Sequence, residues 1–406
     1  FAFIGAVAVL GFVGNMLFTR TGVPDVLILV LLGIVVGPVF HIADASSLAP
    51  VAPLFSTVAL VVILFEGALH LKLFAVLEGS PRALLLATAG FLISVGICAT
   101  VAVYLMHWSL GEALLLGTVL GGTSSSGVIP LISRTNAPER IVTLLTLESA
   151  FTDAIVIVAT ISLLQIVTSA TPVNPVSAAA QSLASRFSIG IVLGLLGGTG
   201  WTRLLVNLAG QKYVDILTLC VVLLLYAATE ELGGSGAMSV LVFGLALANG
   251  RDILGMLRIK LPVEMEAPPV HFMSELSFFV RTFFFVYLGF IISAEDVRFA
   301  LVGMFVAVLL LLGRFIASVV SSVGNAEMRS HLAAITFMVP RGLAAAVMAR
   351  VVGDAGIAHG AELVSVVIVV IIGTVVLAAA GNLYLVRRYH PVETEIARAN
   401  GADIHS

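Results

Sequence analysis

The chain has 406 residues, of which 60% are hydrophobic and 11% charged, with a formal net charge of −3. A typical soluble protein is roughly 45–50% apolar and about 25% charged, so a soluble globule of this size could not hide its apolar surface and is excluded. Scarce, nearly balanced charge also excludes a disordered chain, a long coiled coil and a nucleic-acid binder.

A membrane-crossing helix needs about 20 mainly apolar residues. Thirteen stretches meet that need, at 1–18, 24–40, 51–70, 82–106, 111–133, 138–168, 186–208, 213–231, 235–250, 271–292, 297–322, 330–351 and 361–386. Their connections are short and often marked by Pro or Gly. The largest pieces outside them are a linker near 169–185 and the stretch 251–270. No basic stretch with a cleavage pattern marks a signal peptide, and the absence of an initial methionine leaves a trimmed start open. Fourteen of the 20 Lys and Arg residues fall on the side shared with the C-terminus, three on the other side and three inside spans. The positive-inside rule then predicts a cytoplasmic C-terminus and an outside N-terminus. Cys98 and Cys220 lie in apolar runs and read as packed small hydrophobes.

Ionisable groups at bilayer depth are expensive and need a reason. Four acids qualify: Glu66, Glu148, Asp153 and Glu275. Glu148 and Asp153 lie centrally in the sixth stretch, in LESAFTDAIVIV. Ser149 and Asp153 are four apart and share one helical face, and Glu148 and Thr152 share the neighbouring one. The functional reading is an ion or proton site at Asp153 with Glu148 in a structural ion pair. The bland reading neutralises each carboxylate with a buried arginine, chosen from Arg281, Arg314 and Arg341. Glu66, with His70 one turn on, and Glu275 stand near span ends and read as snorkelling or locally paired. Arg281 reads equally as structural or gating. His271 and the other histidines show no metal-ligand spacing.

Two stretches carry helix breakers in their middle. GGTSSSGVIP places Gly121, Gly122, Thr123, Ser124 and Pro130 inside the fifth, and ITFMVPRGLAAAV places Pro340, Arg341 and Gly342 inside the twelfth. At membrane depth, irregular backbone is tolerated only where protein buries it or a cavity receives it. Interrupted helices at matched positions of two halves point to a transporter site. Spans four to six and eleven to thirteen then form inverted triplets. The transport core would then cover about 82–168 and 297–386, with residues 1–70 and 186–292 as scaffold and linking helices. The bland reading is a pair of simple kinks.

These motifs together resemble the monovalent cation/proton antiporter superfamily, in particular its NhaP-like branch. ESAFTD at 148–153 is similar to the family pattern E-S-x-x-N-D; LLGRF at 311–315, PRGLAAAV at 340–347, FEGALHLKL at 65–73 and FFFVYLGFIIS at 283–293 resemble further family segments. The resemblance implies an all-α polytopic membrane protein of about 13 helices, with inverted repeats and two broken crossing helices of the NhaA-like kind. It makes Asp153 the carrier of cation and proton and pairs Glu148 with Arg314. It gives Gly121, Gly122, Arg341 and Gly342 a broken-helix or gating role. It also implies a homodimer, and leaves room for a cytoplasmic regulatory tail outside this sequence. Two departures stand out. Thr123, Ser124 and Ser125 replace the usual T-D-P, and Thr152 stands where the branch has asparagine.

The implied function is electroneutral Na⁺/H⁺ exchange in the cell membrane, with proton and cation competing for Asp153. Hydroxyls of Thr123, Ser124, Ser149 and Thr152 would supply further oxygens to the monovalent cation. K⁺/H⁺ antiport is the alternative, with Li⁺ also open; a gated cation channel and an anion symporter are the rivals from other classes. Membrane lipid is the expected surrounding, and neither a cofactor nor an enzymatic activity is expected.

Overall fold

In a computed structural model of the chain, the described residues are 2–21, 25–39, 52–69, 81–132, 137–168, 175–208, 211–250, 255, 270–290 and 297–389. They form helices throughout: α1 (Ala2–Thr21), α2 (Asp25–Ile34, continued by a π-helical turn Val35–Val39), α3 (Ala52–Leu69), α4 (Pro81–Leu105), α5 (Leu110–Val119), α6 (Ser125–Ile132), α7 (Glu139–Thr168) and α8 (Pro175–Asn207). Then follow α9 (Val214–Glu231), α10 (Gly236–Ala248), α11 (Val270–Phe290), α12 (Val297–Ser321), α13 (Ala326–Ser330), α14 (Leu332–Phe337), α15 (Leu343–Asp354) and α16 (Gly360–Tyr389). Among the described residues, six helical segments are long and apolar enough to cross a membrane: Pro81–Leu105, Glu139–Thr168, Ser185–Asn207, His271–Phe290, Arg298–Ser321 and Gly360–Leu385. Shorter apolar helices run over Leu27–Gly37, Thr57–Leu69, Leu110–Val119 and Gly236–Ala248. Lys72, Arg134, Arg251, Arg258, Lys260 and Arg398, which enter the reading of sidedness, and His70, read beside Glu66, lie outside the described residues.

Three sequence expectations need correction. The linker expected over 169–185 is helical from Pro175, where α8 begins. Proline suits the first position of a helix because its missing N–H would have no partner there. The run after it, Ala178 to Ala180 and Gln181, favours helix while being too polar to count as a span. Pro130 lies inside α6, so the interruption is confined to the residues before Ser125. Cys98 is buried, but Cys220 is exposed on the outer surface of α9. In a lipid-facing helix an exposed small apolar side chain loses nothing, since the solvent is itself apolar. Leu196, Leu224, Leu301 and Leu312 are exposed in the same way.

Helix ends are fixed locally. Ser109 caps α5 and Glu112 returns the bond, a full capping box. Ser235 caps α10 and Asn325 caps α13. Arg82, at the start of α4, donates from Nη1 to the carbonyls of Ser321 and Val323, both at 2.9 Å, and so satisfies the last turn of α12. Around the site, α12 packs between α4 and α16, α4 also lies on α5 and α7, and α15 lies on α16 and α7.

Close helix contact depends on small residues, because lipid provides no hydrophobic drive for helices to associate. On α8, Gly190, Gly194 and Gly198 form an i, i+4, i+8 stripe against α10. A Cβ there would come within 2.6 Å of Ser235 O, 2.5 Å of Ser239 O and 2.8 Å of Phe243 O respectively. Gly194→Val should therefore force the two helices apart and destabilise the protein by about 1–3 kcal/mol, the usual penalty for overpacking. Thermal unfolding in detergent measures this; an unchanged midpoint would show that α8 and α10 do not approach so closely.

Candidate functional site

The first break follows α5. Leu120 N still donates to Leu116 O at 3.1 Å and Gly121 N to Thr118 O at 3.3 Å, and the helix then stops. Side chains cannot fit where the chain passes between α4 and α7. A Cβ on Gly121 would overlap the Phe91 ring, and one on Gly122 would lie 2.7 Å from Val156 Cγ2 and 3.0 Å from Thr152 O. The second break runs over 338–342 between α14 and α15. The two breaks touch: Ser124 N donates to Pro340 O at 2.9 Å. Gly342 leaves the space that the Ser124 side chain fills, since a Cβ there would overlap Ser124 Oγ. These are interrupted helices that cross, rather than kinks.

Arg341 sits at the crossing, 2% exposed. Its backbone N–H donates to Thr374 Oγ1 at 3.1 Å, Nη1 to Gly122 O at 2.6 Å and Nη2 to Ser94 Oγ at 3.0 Å. A guanidinium on the carbonyl just past α5 meets the negative end of that half-helix, where a cation is favoured.

Glu148 on α7 is 1% exposed and Arg314 on α12 is 3% exposed. They form a two-pronged pair, with Nη1 to Oε1 at 2.8 Å and Nη2 to Oε2 at 3.0 Å. Arg314 Nε donates to Ile335 O at 3.2 Å, which ties the pair to the end of α14. Thr123 Oγ1 lies 3.1 Å from both carboxylate oxygens of Glu148. Thr123 N donates to Thr152 Oγ1 at 3.1 Å, and the Thr152 hydroxyl lies 3.1 Å from Ser149 O. The structure thus brings Thr123, Glu148, Thr152 and Arg314 into one network, and Gly122 with Arg341 into another. The Ser149 hydroxyl donates to Thr146 O of its own helix at 3.1 Å. Asp153, one turn further along α7, is half-buried, unlike Glu148.

Of the other acids, Glu66 accepts from Ser277 Oγ at 2.6 Å, and Glu275 is exposed beside His271 at 3.5 Å. Arg281 lies over the Phe278 ring, 5.8 Å from its centre. Sequence reasoning missed Ser94, Thr374 and the carbonyls of Gly122 and Ile335. It also missed Glu112, which meets His359 Nδ1 at 3.0 Å. The S-x-x-E capping pattern could have flagged Glu112, but nothing in spacing separates Ser94 from Thr88 and Thr100 of the same helix.

A family model described as sodium/hydrogen exchanger, transmembrane, matches residues 5–381. The chain belongs to the sodium/hydrogen exchanger family. Within it, the chain is 34% identical over 239 residues to a K(+)/H(+) antiporter NhaP2 of Shewanella sp. (strain ANA-3), covering 57% of this chain and 40% of that protein. It is 25% identical over 362 residues to Na(+)/H(+) antiporter 1 of Methanocaldococcus jannaschii, covering 86% and 82%. The solved structure of the sodium proton antiporter MjNhaP1 from that organism superposes with a TM-score of 0.77 at 23% identity, over 96% of this chain and 98% of that one. The all-helical antiporter fold and the likeness to NhaP-like members are both borne out. The chain spans about 40% of the length of the Shewanella relatives it matches.

Proposed function

We propose that this membrane protein is a secondary monovalent cation/proton antiporter, exchanging Na⁺ for H⁺ one to one at Asp153. The observation that carries the reading is the contrast on α7. Glu148 is sealed by a guanidinium and a hydroxyl, whereas Asp153 keeps accessible surface and follows Thr152, whose hydroxyl accepts from Thr123 N in the first break. A single carboxylate can hold a proton or an alkali ion but not both favourably, and that exclusion couples the two fluxes. Thr123, Ser124, Ser149 and Thr152 and the carbonyls of the breaks are the proposed further oxygens for the ion. The moving core is proposed as about 82–168 and 297–386, working against the other helices in a homodimer. The proposed setting is the cell membrane, with the C-terminus in the cytoplasm.

Charge accounting supports electroneutral exchange. Arg314 is paired with Glu148, and the Arg341 guanidinium bonds the neutral acceptors Gly122 O and Ser94 Oγ. Proton-loaded and cation-loaded Asp153 leave the same net charge, so the two transported states differ in no charge across the membrane. K⁺ is the second reading, favoured by the K⁺/H⁺ names of the Shewanella relatives and by a first break whose described side chains, Thr123 and Ser124, are neutral hydroxyls.

The test is dissipation of a pH gradient in proteoliposomes on separate addition of Na⁺, K⁺ and Li⁺. The rate should be bell-shaped in pH. On the acidic limb the apparent cation affinity should fall about tenfold per pH unit, as mass action between two exclusive ligands requires. A valinomycin-imposed voltage should leave the Na⁺-driven rate unchanged. Cation affinity that ignores pH over two or more units would require separate sites and end the reading.

A further inference from the structure

We propose that Ser94 is a positioning residue for transport: its hydroxyl aims the Arg341 guanidinium at the first break and so sets the positive charge beside the carboxylate site. This rests on the antiport reading above. Ser94 is 4% exposed, in the middle of α4. It differs from the other hydroxyl residues of that helix. Thr88 is half-buried and Thr100 exposed, and both return their hydroxyls to carbonyls of their own helix, Leu84 O at 2.8 Å and Gly96 O at 2.7 Å. Ser94 instead receives Arg341 Nη2 at 3.0 Å from a residue 247 positions away.

The face of α4 that carries Ser94 borders both buried guanidiniums. Gly90, one turn earlier, faces Arg314, where an added Cβ would stand 3.7 Å from Nη1. Arg341 needs anchoring more than Arg314 does. Arg314 grips a carboxylate with two nitrogens and a carbonyl with the third. Arg341 has Gly122 O for Nη1, Ser94 Oγ for Nη2 and, among the described residues, no acceptor for Nε. Ser94 is therefore the side chain that holds the Nη2 end of this guanidinium. A planar fork held at two points in different elements has a fixed plane as well as a fixed position. With the Ser94 point removed, the charge can pivot about Gly122 O. Gly122 adjoins Thr123, which bonds Glu148 and contacts Thr152. A pivoting charge therefore changes the potential at the site without altering any group that titrates or binds the ion.

The experiment uses the full chain in proteoliposomes, with Ser94→Ala, Ser94→Cys, Ser94→Thr, Arg341→Lys and the Ser94→Ala/Arg341→Lys double variant. Alanine removes the acceptor; cysteine keeps the volume but is a weak acceptor; threonine keeps the hydroxyl. Alanine and cysteine should each raise the apparent KM for Na⁺ several-fold and displace the acidic limb of the pH profile by about half a unit or more. The maximal rate should change much less, and threonine should stay near wild type. In the Arg341→Lys background, Ser94→Ala should have little further effect. Wild-type behaviour of cysteine combined with lower thermal stability of alanine and threonine would mean packing alone and overturn the proposal. A Ser94→Ala effect of undiminished size in the Arg341→Lys background would also overturn it. A wild-type protein that moves no protons would overturn the antiport reading and this inference together. An active wild type indistinguishable from Ser94→Ala would overturn this inference alone.

Discussion

Replacing Asp153 by asparagine should abolish cation-driven proton movement while leaving the protein folded. Asparagine has nearly the same shape, but it neither takes up a proton in the working range nor offers an alkali ion a full negative charge. A unit charge at about 4 Å is worth about 4 kcal/mol at an effective dielectric of 20. At about 1.4 kcal/mol per tenfold, that corresponds to a loss of cation affinity on the order of 10³-fold. Neutral oxygens from Ser149, Thr152 and the breaks cannot replace it. Folding should survive, because removing a charge from a membrane helix lowers its insertion cost. The measurement pairs proton flux in proteoliposomes with the detergent-solubilised unfolding midpoint. Exchange at the wild-type rate by a well-folded Asp153→Asn protein would remove Asp153 from the mechanism.

The largest stability effect is expected at Glu148 and Arg314. Both are almost completely buried, and two parallel hydrogen bonds of 2.8 and 3.0 Å join them. Neutralising one partner strands the other charge away from water, which typically costs about 3–5 kcal/mol. Glu148→Gln and Arg314→Gln should therefore each lower the unfolding midpoint sharply. Combining them should lower it by much less than the two losses added together, because no charge is then stranded. Two glutamines cannot rebuild the two parallel charge-assisted bonds, so the double variant should remain below wild type. Strictly additive losses in this double-mutant cycle would show that the pair contributes nothing as a pair.

The membrane class, the helical architecture and the positions of both interruptions were legible in the sequence. Composition reports the solvent directly, and Gly121–Gly122 and Pro340–Gly342 interrupt apolar runs that otherwise have no reason to stop. Short-range rules were less secure at the edges. The polar run after Pro175 looked like a linker because hydropathy measures preference for lipid and not preference for helix. Pro130 looked like part of the first interruption, yet the helix continues through it.

The sequence by itself determined which groups had to be explained: the carboxylates of Glu148 and Asp153 and the guanidiniums of Arg314 and Arg341, all too costly to bury without purpose. Spacing placed Glu148 beside Thr152 and Asp153 beside Ser149 on one helix, because such neighbours are four residues apart. It could not say which guanidinium meets which acceptor; a likeness to known proteins suggested one pairing only. Glu148 and Arg314 are 166 residues apart, Gly122 and Arg341 are 219 apart, and Ser94 and Arg341 are 247 apart. The tertiary structure decided those contacts. Periodicity describes one helix at a time, whereas a buried charge is satisfied by whichever elements packing brings within about 3 Å of it.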